Sequence, residues 1–213
     1  MMPFEGVPSR ETVPASMEIP DGYHSVPRGK LANVQIYLEM RGKPPPRAAP
    51  SDPDWHLERF TEPDLPRYRE LFHRVGDEQL WAGRLLVPEE ELRRFLTDPL
   101  VEVYVLVTSR GDEGILELDF RIERECEIGL FGVAPPLIAS GAGRWLMNRA
   151  IEAAWSHPID RLWLHTCTLD HPNAFGFYLR SGFRPYERKI EVYDDPRYIG
   201  LTRHDAAARV PIL

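Results

Sequence analysis

A strand-to-helix junction in the second half of the chain contains two glycines at a spacing that suits phosphate binding. The stretch VAPPLIASGAGRWLM, from Val133, joins an apolar, strand-like run to a helical pattern through Gly141 and Gly143. Backbone N–H groups at a helix start lack intrahelical partners, and the helix dipole adds partial positive charge there. Glycine also lets the backbone approach an oxyanion closely. The pattern predicts a phosphate-binding loop, although two glycines equally suit a tight connection without a ligand.

Carboxylates lie on the strand-like segment from Gly114, which precedes the strand that enters this loop. Glu117 and Asp119 alternate with Leu116, Leu118 and Phe120, so both acidic side chains should share the face opposite the apolar one. That face either belongs to a reaction cleft, where partial burial raises a carboxyl pKa, or is the solvated side of an ordinary strand. The residues alone leave both interpretations open.

Two motifs follow the loop in a fixed order. The chain reads as a strand, V-x-P, five residues, G-x-G, a helix, a strand, and then P-N-A-F-G-F-Y-L-R-S-G-F from Pro172. Over about residues 33–193 this order resembles the acetyl-CoA loop and following helix of the Gcn5-related N-acetyltransferase (GNAT) superfamily. The resemblance implies acetyl-CoA as co-substrate, with its pyrophosphate on the loop and its pantetheine between two diverging parallel strands.

The resemblance also implies which residues bind the cofactor. The backbones of Phe131 and Val133 would bond the pantetheine amides. The pyrophosphate would lie on the backbone of Ala139, Ser140, Gly141, Ala142, Gly143 and Arg144.

Two positions depart from the family pattern. Ile138 stands where the family usually has Gln or Arg, and His171 stands where it commonly has Asn, with Asn173 nearby. We expect His171 and Asn173 beside the pantetheine or the substrate. His165 also titrates near neutrality, but its place on an apolar strand is more typical of a core histidine than of a base.

The resemblance further implies an acid and a base. Acetyl transfer to an amine needs an unprotonated amine and a proton route to the leaving thiolate. Tyr178 matches the family tyrosine that can protonate the thiolate, although a tyrosine simply packed on the sheet would look the same. Glu127, six residues before Val133, matches the catalytic glutamate of the histone-acetylating branch, and Glu117 is its rival, followed by Asp119.

The expected function is transfer of an acetyl group from acetyl-CoA to a primary amine, by direct attack in a ternary complex. The acceptor is a small-molecule amine or a protein or peptide amine. The alternative is a non-catalytic acyl-CoA-binding module, used for sensing or assembly on the same fold. A third interpretation is an unrelated mixed α/β structural protein, which would not bind coenzyme A.

Hydrophobic periodicity predicts the elements that would position these residues. Strands are predicted over 33–40, from Val101, from Gly114, over 126–133, over 161–169 and over 184–193. Helices are predicted from Leu65 to a left-handed end at Gly76, over EEELRRFL after Pro88, after Ser140, and from Asp170 to Ser181.

These elements indicate an α/β (α+β) fold. We expect a mixed, mostly antiparallel twisted sheet of six to seven strands with about four helices, splayed at the acetyl-CoA site. Because strand–helix–strand crossovers are parallel and right-handed, segments 126–133 and 161–169 should be neighbours. Prolines in residues 41–53 exclude a helix or strand there.

Length and charge limit the other classes. The 213 residues suit one domain over 31–213, preceded by an extended arm over 1–30 and ending in a tail from about 194. A net charge of −7 argues against nucleic acid as the partner. No signal peptide or membrane span is visible, which favours a cytoplasmic protein.

Two cysteines, Cys126 and Cys167, lack the spacing of a metal site, so we expect reduced thiols and no metal. A homodimer through the terminal strand or the proline-rich N-terminal arm is compatible with the sequence.

Overall fold

The computed structural model describes residues 19–62 and 64–213. Its seven strands are β1 Lys30–Met40, β2 His56–Arg59, β3 Val101–Thr108, β4 Gly111–Asp119, β5 Glu125–Val133, β6 Arg161–Cys167 and β7 Arg184–Asp194. Its helices are α1 Leu65–Gly76, α2 Gly83–Leu86, α3 Glu89–Leu96, α4 Ala142–Ala154 and α5 Ala174–Arg180. Short 3-10 turns lie at Asp77–Gln79 and Pro135–Leu137.

The strands form one mixed sheet in the order β2-β3-β4-β5-β6-β1-β7. Strands β5 and β6 are parallel, and the other pairs are antiparallel. The predicted parallel neighbours are therefore confirmed, as is the mostly antiparallel mixed sheet. No described helix combines the length and apolarity that crossing a bilayer demands.

Helices cover both faces of the sheet centre. On one face, Leu116 and Leu118 of β4 pack with Leu146 and Met147 of α4. On the other face, Ile115 of β4 packs with residues of α1 and α3, which include Tyr68, Leu71, Leu92 and Leu96. As a result β4 is buried from Glu113 to Asp119. The interpretation of β4 as a half-solvated strand is thus wrong, because α1 and α3 cover its carboxylate face.

Gly76 is not left-handed, contrary to expectation. Its φ is −101°, and the left-handed residue is Leu80 with φ 57°, which ends the 3-10 turn after α1. The glycine is required for another reason. A Cβ at Gly76 would lie 2.6 Å from a ring carbon of Trp81, so the indole packs directly on the helix backbone.

Residues 41–53, here called the strap, contain no helix or strand, as predicted. The strap nevertheless has a fixed course along α4. Asn148 accepts a hydrogen bond from the Arg47 N–H at 3.3 Å and donates one to the Arg47 carbonyl at 2.7 Å. Further along, the Pro50 ring packs against Gly141, at the start of α4.

Residues 195–213 form an irregular segment that packs near the end of β6. Arg197 is buried, pairs with Asp195 at 2.8 Å and donates to the carbonyl of Val210 at 2.8 Å. Arg209 donates to the carbonyls of Glu78 and Leu169, and so links the turn after α1 to the end of β6. Of the expected N-terminal arm, residues 1–18 lie outside the described part of the chain.

Candidate active site

The centre of the sheet contains a fork between its two parallel strands. Strands β5 and β6 pair over only three positions, of which the last is Glu127 with Trp163. Beyond it β5 stays paired with β4 as far as Val133, while β6 stays paired with β1 as far as Cys167. A cavity of about 890 Å³ occupies the resulting gap and extends to the start of α4.

The loop that enters α4 presents unpaired backbone donors to this cavity. Ala139 and Gly141 have φ values of 65° and 97°, which turn the chain sharply before the helix. Ser140 closes the turn, because its Oγ donates to the Leu137 carbonyl at 2.7 Å and accepts from the Ala142 N–H at 3.1 Å. Within the described residues, the N–H groups of Ala139, Gly141, Gly143 and Arg144 have no backbone hydrogen bond. Unpaired amides at a helix start suit a diphosphate.

The two glycines of the loop serve different purposes. Gly141 has a left-handed φ and lies under Pro50, so the chain itself requires glycine there. A Cβ at Gly143 would meet no atom within 4 Å, and Gly143 lines the cavity. Glycine at 143 therefore leaves room for a molecule other than the chain, and the loop fits the phosphate end of acetyl-CoA.

Phe131 and Val133 line the same cavity from β5, and His171 and Asn173 line it from the turn before α5. The structure thus brings together in one cavity the four residues that were predicted to lie beside the pantetheine. His171 has an additional local contact, since its Nδ1 accepts from the Asn173 N–H at 3.2 Å.

Tyr178 lies on the buried side of α5 and faces the cavity. Three phenylalanine rings surround it at centroid distances of 5.5–6.2 Å, namely Phe131, Phe177 and Phe183. Burial, followed by the charge of Asp170, raises the pKa of its phenol well above the usual value. The hydroxyl is thus a protonated donor at neutral pH.

Glu127 lies at the base of the fork, where β5 leaves β6. Its carboxylate lines the cavity and makes no ion pair or side-chain hydrogen bond with any residue in the described ranges. Burial, followed by the charges of Asp119 and Glu117, raises its pKa to about 7, against the opposing effect of Arg84 and Arg121. A carboxylate that titrates near neutrality suits a general base.

Glu117 is in a different environment. It is fully buried, forms an ion pair with Arg84, and accepts a hydrogen bond from the Tyr68 hydroxyl at 3.0 Å. Asp119 pairs with Arg121 at 2.6 Å. Both carboxylates are neutralised by an arginine, so the geometry favours Glu127 over Glu117 and Asp119 as the base.

His165 opens into the cavity from β6, although it was expected in the core. Its Nδ1 lies 2.8 Å from the Gln35 Oε1, and the protein that surrounds the cavity desolvates the ring and lowers its pKa, although the ring keeps accessible surface. Gln35 in turn donates to Glu191 at 2.6 Å. This row of polar groups spans three strands and could not be found from local spacing.

Two further cavity residues were missed or misread. Asp170 was expected to open a helix, but its carboxylate instead accepts from Thr166, from the Cys167 N–H and from the Trp81 indole N–H at 2.6–3.2 Å. Asn173 is the residue that precedes α5.

Cys167 is half-buried and lines the cavity, unlike Cys126, and both thiols are free. Across residues 19–62 and 64–213, no cluster of three or more His, Cys, Asp or Glu side chains could hold a metal ion.

Comparison with known proteins agrees with this geometry. The model of the acetyltransferase (GNAT) family matches residues 54–183, which is more than half of the chain. No curated protein sequence matches.

Several solved structures share the fold. A GCN5-related N-acetyltransferase from Sphaerobacter thermophilus superposes with a TM-score of 0.58 at 17% identity, over 81% of this chain and 53% of that one. A functionally unknown conserved protein from Staphylococcus epidermidis superposes with a TM-score of 0.50 at 14% identity, over 78% of this chain and 63% of that one.

An aminoglycoside acetyltransferase from an uncultured soil metagenomic sample gives a TM-score of 0.51 at 18% identity, over 61% of this chain and 88% of that one. The chain therefore spans between half and two thirds of the length of the first two structures, and at these identities the likeness concerns the fold alone. The family match and the forked sheet together place the chain in the GNAT family of acetyltransferases.

Proposed function

We propose that this protein is an N-acetyltransferase that transfers an acetyl group from acetyl-CoA to a primary amine by direct attack in a ternary complex. The observation that carries the proposal is Glu127, an unpaired carboxylate with a pKa of about 7 at the base of the fork. The family normally uses acetyl-CoA, which supplies a thioester carbonyl as electrophile.

Different residues of the cavity bind the cofactor and transfer the protons. The amides of Ala139, Gly141, Gly143 and Arg144 bind the diphosphate, and the free edge of β5 holds the pantetheine. Glu127 accepts a proton from the incoming ammonium or amine. Because its pKa is about 7, this carboxyl group is ionised in about half of the protein molecules near pH 7. Tyr178, protonated and cavity-facing, donates a proton to the departing thiolate sulfur.

The acceptor end of the cavity is acidic. Glu127, Asp170 and Glu191 line it, and Asp119 beside them is paired with Arg121. Glu191 is exposed to solvent and accepts from Asn33 and Gln35, with no cationic partner among residues 19–62 and 64–213. A cationic amine acceptor complements these charges. Aminoglycosides, polyamines, amino acids and peptide amino termini form the corresponding test panel.

The test begins with calorimetry of acetyl-CoA binding and continues with thiol-release assays on that panel. Glu127→Gln and Tyr178→Phe should each retain acetyl-CoA binding and lose turnover. Glu123→Gln, an exposed residue on the turn before β5, is the matched control and should behave as wild type. Wild-type turnover in Glu127→Gln would remove this residue from the base role.

One observation supports the alternative of a non-catalytic acyl-CoA-binding module. Ile138 is 42% exposed beside the phosphate loop, at the position where the family usually has a polar side chain. Tight binding of acetyl-CoA without thiol release on any amine of the panel would favour that alternative.

A further inference from the structure

Three arginines gather at the cofactor end of the cavity, and each comes from a different element. Arg47 belongs to the strap, Arg144 to α4 and Arg180 to the end of α5, and all three line the cavity. No carboxylate in the described ranges lies within ion-pair distance of any of them. By contrast, Arg84 and Arg121 at the other end are both paired with acids. An uncompensated cationic cluster in a chain of net charge −7 indicates a site for an anion.

Arg47 is held in place by its surroundings. Asn148 fixes its backbone through two hydrogen bonds, and its Nη1 donates to the Ser181 Oγ at 3.1 Å. Its guanidinium lies 6.0 Å from the ring centre of Phe177. Burial, and then the charges of Arg144 and Arg180, lower its pKa. Holding a cation beside two others is unfavourable unless an anion joins them.

The neighbouring contacts leave most of the donors of this cluster free. Arg144 donates to the Ala48 carbonyl at 2.9 Å, which links α4 to the strap. Arg180 folds back over Gly176 and is exposed. A guanidinium carries five N–H donors and matches phosphate geometry, so the three side chains can contact one phosphate together.

We propose that Arg47, Arg144 and Arg180 bind the ribose 3′-phosphate of coenzyme A, so that this cavity selects coenzyme A thioesters over their 3′-dephospho analogues. The inference rests on the proposed function, because the loop amides are then taken by the diphosphate and a third phosphate needs a separate partner. The strap lies outside the segment that matches the family, so Arg47 is a selectivity residue contributed by the flanking chain.

Calorimetry with acetyl-CoA and acetyl-dephospho-CoA tests the proposal on the full chain. Wild type should bind acetyl-CoA about tenfold to a hundredfold more tightly, as expected for charged hydrogen bonds to a phosphate. Arg47→Gln and Arg180→Gln should each lose most of that preference and leave the affinity for acetyl-dephospho-CoA unchanged. Arg188→Gln on β7, outside the cavity lining, removes the same charge and should keep the preference.

The outcomes separate this inference from the proposed function. Binding of neither thioester would overturn both. Equal binding of both thioesters by wild type would overturn the 3′-phosphate site alone. An equal loss of affinity for both thioesters in the variants would place the cluster on the diphosphate and also overturn it. Arg47→Gln also removes a contact of the strap. Arg180→Gln tests the same site without that effect, because the Arg180 side chain is exposed and no carboxylate in the described ranges pairs with it.

Discussion

Pro50 packs directly on Gly141, so that the strap lies against the first turn of the helix that carries the phosphate loop. Gly141 also has a left-handed φ of 97°. A side chain at this position would both strain the backbone and push the strap away. Gly143, two residues later, has open space around its Cα. The two glycines therefore give a matched pair of substitutions.

Gly141→Ala should destabilise the fold by about 1–3 kcal/mol, since it adds a strained φ and a clash with Pro50. The measurement is urea unfolding followed by circular dichroism. Gly143→Ala should leave stability unchanged or raise it by up to about 1 kcal/mol, because alanine favours the helix. An equal loss of stability in both variants would contradict the separate roles of the two glycines.

Gly143→Ala should weaken acetyl-CoA binding even though the protein stays folded. The added methyl group would occupy the space through which the loop amides approach a phosphate. Calorimetry should show a dissociation constant raised by roughly tenfold, a change that corresponds to about 1.4 kcal/mol. Wild-type affinity in this variant would place the diphosphate elsewhere.

Glu127 should give activity an ascending pH dependence. A general base acts only when it is deprotonated, so kcat/KM should rise as the pH increases through about 7. In Glu127→Gln, kcat/KM should fall by about 100-fold, and the rise of kcat/KM with pH near 7 should disappear. Rate profiles from pH 5 to 9 on one good acceptor provide the measurement, with Glu123→Gln retaining the wild-type profile.

The same residue should make stability fall with rising pH. The folded state raises the Glu127 pKa from 4.5 to about 7, so it binds the proton more tightly than the unfolded chain does. The resulting stabilisation is complete below the unfolded value and is lost as the pH rises through about 7. Above pH 7, Glu127→Gln should therefore be more stable than wild type by about 2 kcal/mol. Thermal melts at pH 5 and 8 would show the difference, and a variant less stable than wild type at pH 8 would contradict it.

Glu117 should matter for stability more than for proton transfer. Glu117→Gln leaves the nearly buried Arg84 without its counter-charge, and loss of one partner of a buried pair costs roughly 3–5 kcal/mol. The exposed pair of Asp160 with Arg124 gives the control, because Asp160→Asn should leave the unfolding midpoint almost unchanged. Equal effects of the two substitutions in urea unfolding would contradict the structural role of Glu117.

The sequence predicted the central sheet and α4 well because their signals are local. Strand-like apolar runs with short connectors identified β3 to β5, and the helical period identified α4. Strand β2 was missed because its four residues, His56–Arg59, carry only one apolar side chain. Helix α2 was missed because it is a single turn that begins with Gly83.

The environment of β4 could not be inferred from its own residues. Alternation in a single strand reports two different faces, but it does not show whether a polar face meets water or another element. Here the polar face meets Tyr68 and Arg84, which lie far away in the sequence. The same limit applies to Gly76, whose constraint comes from Trp81, and to the strap, whose position depends on Asn148.

The short pairing of β5 with β6, over three positions, also has a consequence for backbone dynamics. In an antiparallel pair, only every second residue directs its N–H and C=O groups at the partner strand. Beyond Glu127, the alternate amides of β5 therefore lack a strand on their other side. Deuterium uptake along Ile128–Val133 should alternate between slow and fast sites, and a molecule seated in the fork would register as protection of the fast ones.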